Sequence, residues 1–231
     1  MTDNKPKREK KEAYRGNLPH FQQPGQDYFV TWILKGAIPK KAVEIYSRKM
    51  ENLKAEIEIL KTHKADLRAI EDAKREYYIL RKKYIAQVDE ILDVQKENFV
   101  DLSIPEHVKI IYDTLMFWEG NRIANYCFCI MPNHVHWVLR IFEKDENGKP
   151  VYLEDVMHSV KLFTARQINE HNGKTGTLWQ KESFDTTIRD QKHLYNAIEY
   201  TLNNPLKAGL VKNRDDWRGN FDWEQRFPNR W

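Results

Sequence analysis

Two histidines stand two residues apart in the run Met131-Pro132-Asn133-His134-Val135-His136. His134, His136 and Val138 alternate with Val135, Trp137 and Leu139, the period of a strand, so both imidazoles fall on one face. A two-residue step on a strand covers about 6.6–6.8 Å, and two imidazoles at that spacing can tilt toward one ion. The plainer alternative is a pair of partly exposed histidines on a sheet face. A His-x-His-x-His phosphate-binding signature of nucleotide hydrolases is excluded, because the third place holds Val138. Further along, Tyr200 and Asn204 are four residues apart in a helical segment and share its face. A tyrosine oxygen and an amide oxygen could then project into one site. Tyrosine, which ordinarily titrates near about pH 10, is a poor nucleophile at neutral pH. It becomes useful when a metal polarises the phosphate it attacks and the leaving group is a sugar hydroxyl. Against this stand a core aromatic at Tyr200 and an ordinary helix terminator at Asn204, just before Pro205. Tyr195 lies about 140° round the helix from Tyr200 and should point elsewhere.

The elements that must position these residues can be read from periodicity and turn chemistry. Residues 1–26 are polar, carry Pro6, Pro19 and Pro24, and read as a basic arm in which Lys5, Lys7, Arg8, Lys10, Lys11 and Arg15 outnumber the acids. Such a segment is either a solvated tail or a phosphate-neutralising one. Tyr28 to Leu34 is rich in β-branched and aromatic residues and reads as the first strand. Residues 40–98 hold no Gly and no Pro, and apolar residues recur at helical spacing. One straight helix of that length would run to roughly 90 Å, so a bend is expected at Lys61-Thr62-His63-Lys64. The expectation is an antiparallel helical hairpin that projects from the domain, a structural or dimerising appendage without chemistry of its own.

The remainder predicts a helix over 105–118 with Ser103 as cap, a strand over 122–131, a tight turn at Pro132-Asn133, and a strand over 134–142. A helix over 153–169 follows, burying Val156, Val160, Phe163 and Ile168. A short strand over 184–189 and a helix over 192–203 that Pro205 ends complete the pattern. The fold class is α+β, with an antiparallel sheet compatible with a ferredoxin-like arrangement. The domain spans 27–231 and is interrupted by the 40–98 insertion.

Composition bounds the rest. The net charge of +4 is small for 231 residues, so only its clustering in the arm bears on partners. Cys127 and Cys129 sit two apart on a strand and cannot form a relaxed mutual disulfide. With two cysteines in all, a four-thiolate zinc site is excluded, and a reducing, cytoplasmic setting is expected. No apolar run reaches membrane-spanning length, and the charged start has no apolar stretch behind it to make a secretory signal.

Four stretches together resemble the REP-associated tyrosine transposases, single-tyrosine relatives of insertion-sequence transposases in the HUH endonuclease superfamily. They are Asn17 to Gly25 with Tyr28 to Thr31, Met131 to His136, Phe163 to Asn169 running to Leu178-Trp179-Gln180, and Ile188-Arg189-Asp190 with Tyr200 to Val211. They stand in the family's order and cover most of the chain outside 40–98. The resemblance implies that His134, His136 and the amide of Asn204 bind a divalent ion, Mg²⁺ or Mn²⁺. It implies that Tyr200 attacks single-stranded DNA, leaving a 5′-phosphotyrosyl link and a free 3′-hydroxyl that a second transesterification rejoins. In some relatives a tyrosine follows the Trp-Gln stretch; here Lys181-Glu182-Ser183-Phe184 has none, so a nucleophile at that place would be missing, and Tyr200 is preferred because it shares a helix face with Asn204. The implied partner is hairpin DNA with a single-stranded flank. Its candidate contacts are Lys7, Arg8, Lys10, Lys11 and Arg15 in the arm, Lys161 and Arg166 on a helix, Lys174 in a loop, and Trp179, either stacked on a base or buried. A domesticated DNA-binding protein that no longer cuts, and a phosphoesterase using activated water, are the competing readings. A homodimer through the insertion stays open.

Overall fold

The computed structural model describes residues 13–15, 19–21, 23–38, 40–63, 66–94, 100–181 and 183–226. Residues 7–11 of the basic arm lie outside them. What is described of the arm is a small two-stranded sheet, β1 (Ala13–Arg15) paired antiparallel with β2 (Pro19–Phe21), where the sequence suggested only a tail.

The first strand of the main sheet, β3 (Asp27–Ile33), is followed by two long helices, α1 (Lys40–Thr62) and α2 (Leu67–Val94). They break where the polar patch at 61–64 predicted. Then come α3 (Pro105–Met116), β4 (Ile123–Ile130), β5 (His134–Ile141), α4 (Leu153–His171), β6 (Phe184–Thr187) and α5 (Gln191–Lys207). A single 3₁₀ turn over Arg214–Asp216, a short edge strand β7 (Asn220–Asp222) and a helical turn α6 (Trp223–Arg226) follow. The main sheet has the order β6-β3-β5-β4-β7, antiparallel throughout. Without β7 and the two inserted helices, this is the strand-helix-strand-strand-helix-strand arrangement of a ferredoxin-like fold.

β5 lies at the centre of the sheet, and every residue in it but Arg140 is buried. Its odd-numbered residues Val135, Trp137, Leu139 and Ile141 pack with Ile111 and Leu115 of α3 and Val156, Val160 and Ile168 of α4. On the other face, Val138 joins Cys127, Ala197 and Leu202 under α5. At roughly 1.5–3 kcal/mol for each large apolar side chain removed from water, the first face carries most of the stability. The inserted helices share that core through Tyr77, Val88 and Leu92 of α2.

Three local expectations differ from the structure. Ser103 does not cap α3: its N–H and hydroxyl donate to Asp101 Oδ1 at 2.8 and 2.6 Å, and Ile104 holds the cap position without a side-chain bond. Phe163 is 52% exposed, and the buried stripe of α4 turns instead through Thr164. That hydroxyl can be inside because it donates to Val160 O at 2.7 Å and accepts from Trp179 Nε1 at 2.9 Å. Pro205 does not end α5 but lies within its last turn. A proline has no N–H to give the preceding turn, yet the helix closes because Ala208 and Leu210 donate to the carbonyls of Asn204 and Pro205. Gly209, at φ 69°, then takes the left-handed conformation that ends it.

Candidate active site

His134 and His136 open β5 on the face beneath α5, and both side chains are fully buried. Their Nε2 atoms are 3.0 Å apart, with the rings close to perpendicular at 78°. Burial is the main reason both stay neutral, and the charge of Lys207 adds to it. His134 is pushed down to about 3; His136 is also held well below its usual range, with His134 a further cause. Each ring is fixed at its other nitrogen. His134 Nδ1 meets Asn133 Oδ1 at 2.6 Å, and His136 Nδ1 meets Thr31 Oγ1 at 2.8 Å. The register explains the second bond, since Thr31 pairs directly with His136 across β3 and β5, and Phe29 pairs with Val138. Phe29 therefore lies beside His136 and stacks on it at 5.6 Å.

Tyr200 comes down from α5 onto this pair. Its ring meets His136 edge-on at 5.5 Å and Phe29 at 5.8 Å. Lys207, two turns along the same helix face, places Nζ 5.9 Å from the centroid of the Tyr200 ring. Between them on that helix is Asn204, 1% exposed, with neither amide atom hydrogen-bonded. A buried polar group without a partner costs about 1–3 kcal/mol, and this amide is free to take a ligand. Tyr195 is 64% exposed and turned away, as the helical angle predicted.

The donor set fits a divalent cation. Two ligands in adjacent positions of an octahedral ion, each about 2.1 Å from it, are about 3.0 Å apart, a separation that the two Nε2 atoms already have in their mutual hydrogen-bond contact. Asn204 supplies an unpaired amide oxygen. Among the described residues no group of three His, Cys, Asp or Glu could hold a metal, so the third protein ligand would be this amide rather than a carboxylate. Cys129 pairs with His136 across β4 and β5, but burial raises its thiol and that of Cys127 well above the usual range, so neither offers a thiolate.

The sequence-predicted DNA contacts do not gather here. Arg166 and Lys174 are exposed, on α4 and in the loop after it, and α4 packs against the opposite face of the sheet. Lys161 Nζ donates to the carbonyls of Gln180 and Lys181 at 2.9 and 3.1 Å and so braces that loop. Trp179 is a core residue rather than a stacking platform: it is 4% exposed and packs edge-on against Trp32. Arg15 lies in β1, and Lys7, Arg8, Lys10 and Lys11 fall outside the described residues. Four residues of the site went without a role in the sequence reading: Phe29, Thr31, Asn133 and Lys207. Lys207 was within reach, since positions 200, 204 and 207 share a helix face.

No family model matches the chain. It is 32% identical over 103 residues to a Haemophilus influenzae protein described as a "Putative REP-associated tyrosine transposase", covering 43% of this chain and 58% of that protein. A second Haemophilus influenzae protein, uncharacterised, is 28% identical over 116 residues, covering 43% of this chain and 63% of the relative. The chain thus spans about three-fifths of the length of the curated relatives it matches. In structure it is similar to a REP-associated tyrosine transposase solved bound to a REP hairpin. The TM-score is 0.50 at 13% identity, over 92% of this chain and 82% of the other, which is a likeness of fold.

Proposed function

We propose that this chain, which resembles the REP-associated tyrosine transposases in sequence and in fold, cleaves and rejoins single-stranded DNA beside hairpins, with Tyr200 as the nucleophile. One observation carries the reading. The ring of Tyr200 lies on His136, whose Nε2 converges with that of His134, and the unpaired Asn204 follows one helical turn on.

His134 Nε2, His136 Nε2 and the Asn204 amide oxygen would hold a divalent cation. Mn²⁺ should serve at least as well as Mg²⁺, because imidazole prefers the later metal. Bound there, the cation would draw charge from the oxygens of the scissile phosphate. The remaining steps belong to the protein. Lys207 presents a positive charge beside Tyr200 and draws the phosphate toward the phenol oxygen. The Tyr200 oxygen gives up its proton and forms a bond to phosphorus as the bond from phosphorus to the 3′-oxygen breaks, and the departing oxygen takes up a proton as a 3′-hydroxyl. The 5′-phosphotyrosine keeps the phosphodiester's energy, so attack by another 3′-hydroxyl restores a DNA strand and frees the tyrosine. Because Phe29 and Tyr200 cover fully buried histidines, the Tyr200 side chain must swing outward to admit a phosphate.

The test is incubation with Mn²⁺ and a hairpin oligonucleotide that has a single-stranded flank and a 3′ label, followed by a denaturing gel. A labelled covalent adduct that disappears with chelator is expected. Binding without an adduct would favour a non-cleaving hairpin-binding protein, and hydrolysis without an adduct would favour a water-activating phosphoesterase.

A further inference from the structure

The end of the inserted hairpin reaches the histidine pair through one side chain. Leu92 lies in the last turn of α2, where helix carbonyls have no partner within the helix. Its carbonyl accepts a hydrogen bond from Asn133 Nδ2 at 2.9 Å. Asn133 is 2% exposed, and its Oδ1 lies 2.6 Å from His134 Nδ1. The chemistry of this chain fixes its direction. A carbonyl oxygen only accepts, so the amide atom facing Leu92 is the NH₂ group. The atom facing His134 is therefore the amide oxygen, which also only accepts. The proton between them must belong to His134 Nδ1, and His134 Nε2 is left as a lone pair aimed at His136.

We infer that Asn133 is a positioning residue that locks His134 in its Nδ1–H tautomer, and that the helical insertion, through the Leu92 carbonyl, is what holds Asn133 in the orientation that does so. The insertion is then part of the site's support and not a separate appendage. Its 23- and 28-residue helices are tied to the imidazole ring of His134 through two hydrogen bonds, so anything that displaces the end of α2 releases the tautomer. Partners that orient a ligating histidine in this manner commonly account for about 10–100-fold in metal affinity. The metal part of this inference rests on the reading of His134 and His136 as ligands; the tautomer part does not.

The experiment uses the full chain with ¹⁵N-labelled histidine, without metal, and reads the His134 tautomer from nitrogen shifts and couplings. Mn²⁺ binding is titrated separately by the loss of the free-ion paramagnetic resonance signal. Asn133→Leu removes both hydrogen bonds at similar volume; His134 should then populate both tautomers and Mn²⁺ should bind about 10–100-fold more weakly. Asn133→Asp keeps an acceptor toward His134 but sets an oxygen against the Leu92 carbonyl. It should retain the Nδ1–H tautomer while amide exchange quickens in the last turns of α2. An unchanged His134 tautomer in Asn133→Leu would overturn the inference. If that variant does not fold, an Nε2–H tautomer in Asn133→Asp would do the same, and unchanged exchange at the end of α2 in Asn133→Asp would remove the role of the insertion. Absence of Mn²⁺ binding by the unaltered chain would defeat the metal reading alone and leave the tautomer result to decide the rest.

Discussion

Apart from Arg140, both faces of β5 are buried, and they differ in what they bury. Toward α3 and α4 the strand offers Val135, Trp137, Leu139 and Ile141, all at 0% exposure. Some polar groups beside them have protein partners, although Trp32 Nε1 is buried without one. Trp137 Nε1 donates to Asn125 Oδ1 at 2.6 Å, and Asn125 Nδ2 in turn donates to the Leu115 carbonyl and to Glu119 Oε2. Toward α5 the same strand offers His134 and His136, also at 0%, beneath a tyrosine, a lysine and the unpaired amide of Asn204. Burial alone therefore does not separate core from site. What separates them is the chemistry of what they bury, indole and amide groups on one face and two imidazoles with Tyr200 and the unpaired Asn204 amide on the other, and this contrast predicts which substitutions cost stability and which cost chemistry.

The largest contrast is expected at Tyr200. Tyr200→Phe keeps the ring that packs on His136 and Phe29 but removes the attacking oxygen, so the covalent DNA adduct should vanish while the melting temperature stays within a few degrees. A full adduct in that variant would move the nucleophile elsewhere. On the opposite face, Trp137→Ala should lower stability by about 3–5 kcal/mol in denaturant unfolding. Whatever fraction remains folded should form adduct at the normal rate, because the indole touches the core and not the site. A rate that falls in the folded fraction would mean that the two faces are coupled through the strand.

How far this contrast could be read in advance depended on the range of the interaction. The alternation from His134 to Leu139 shows both faces of β5 from local sequence, and the polar patch at 61–64 marks the helix break, because both are set by neighbours in the chain. The positions of Tyr200 and Asn204 on one helix face followed from helical geometry. Thr31 and Phe29 were not legible, because their role depends on the register between β3 and β5, more than a hundred residues apart (|i−j| of 105 for Thr31 and His136). Asn133 read as a turn residue, since only the fold brings the Leu92 carbonyl to it. Pro205 read as a stop because proline disfavours helix locally, while burial of Asn204 and Pro205 against the sheet carries α5 through it. Trp179, with both bland and functional readings open, was decided by the partner its indole found in Thr164.

A smaller effect tests the unpaired amide on the α5 face directly. Asn204→Leu replaces an unpaired buried amide with hydrocarbon of similar size, and should raise stability by about 1–3 kcal/mol while weakening Mn²⁺ binding. A gain in one with a loss in the other would show that the amide is kept at the expense of the fold. A loss of stability would mean that Asn204 is structural and that the two faces are alike.

The smallest effect is a slope with pH, measured by urea unfolding in chelator. Both histidines are neutral when folded down to acidic pH, since burial holds His134 at about 3 and His136 well below its usual value. In the unfolded chain each takes a proton near its ordinary value of about 6.5. Above pH 7 neither state gains a proton, so the pair has no effect there. As pH falls below that, only the unfolded chain gains protons, and stability drops by about half to one kcal/mol per histidine between pH 7 and pH 6. The double substitution His134→Gln with His136→Leu should flatten that slope, whereas Trp137→Phe on the other face should leave it unchanged. An equal slope in the double variant would mean that the imidazoles are open to water and that the α5 face does not close over them.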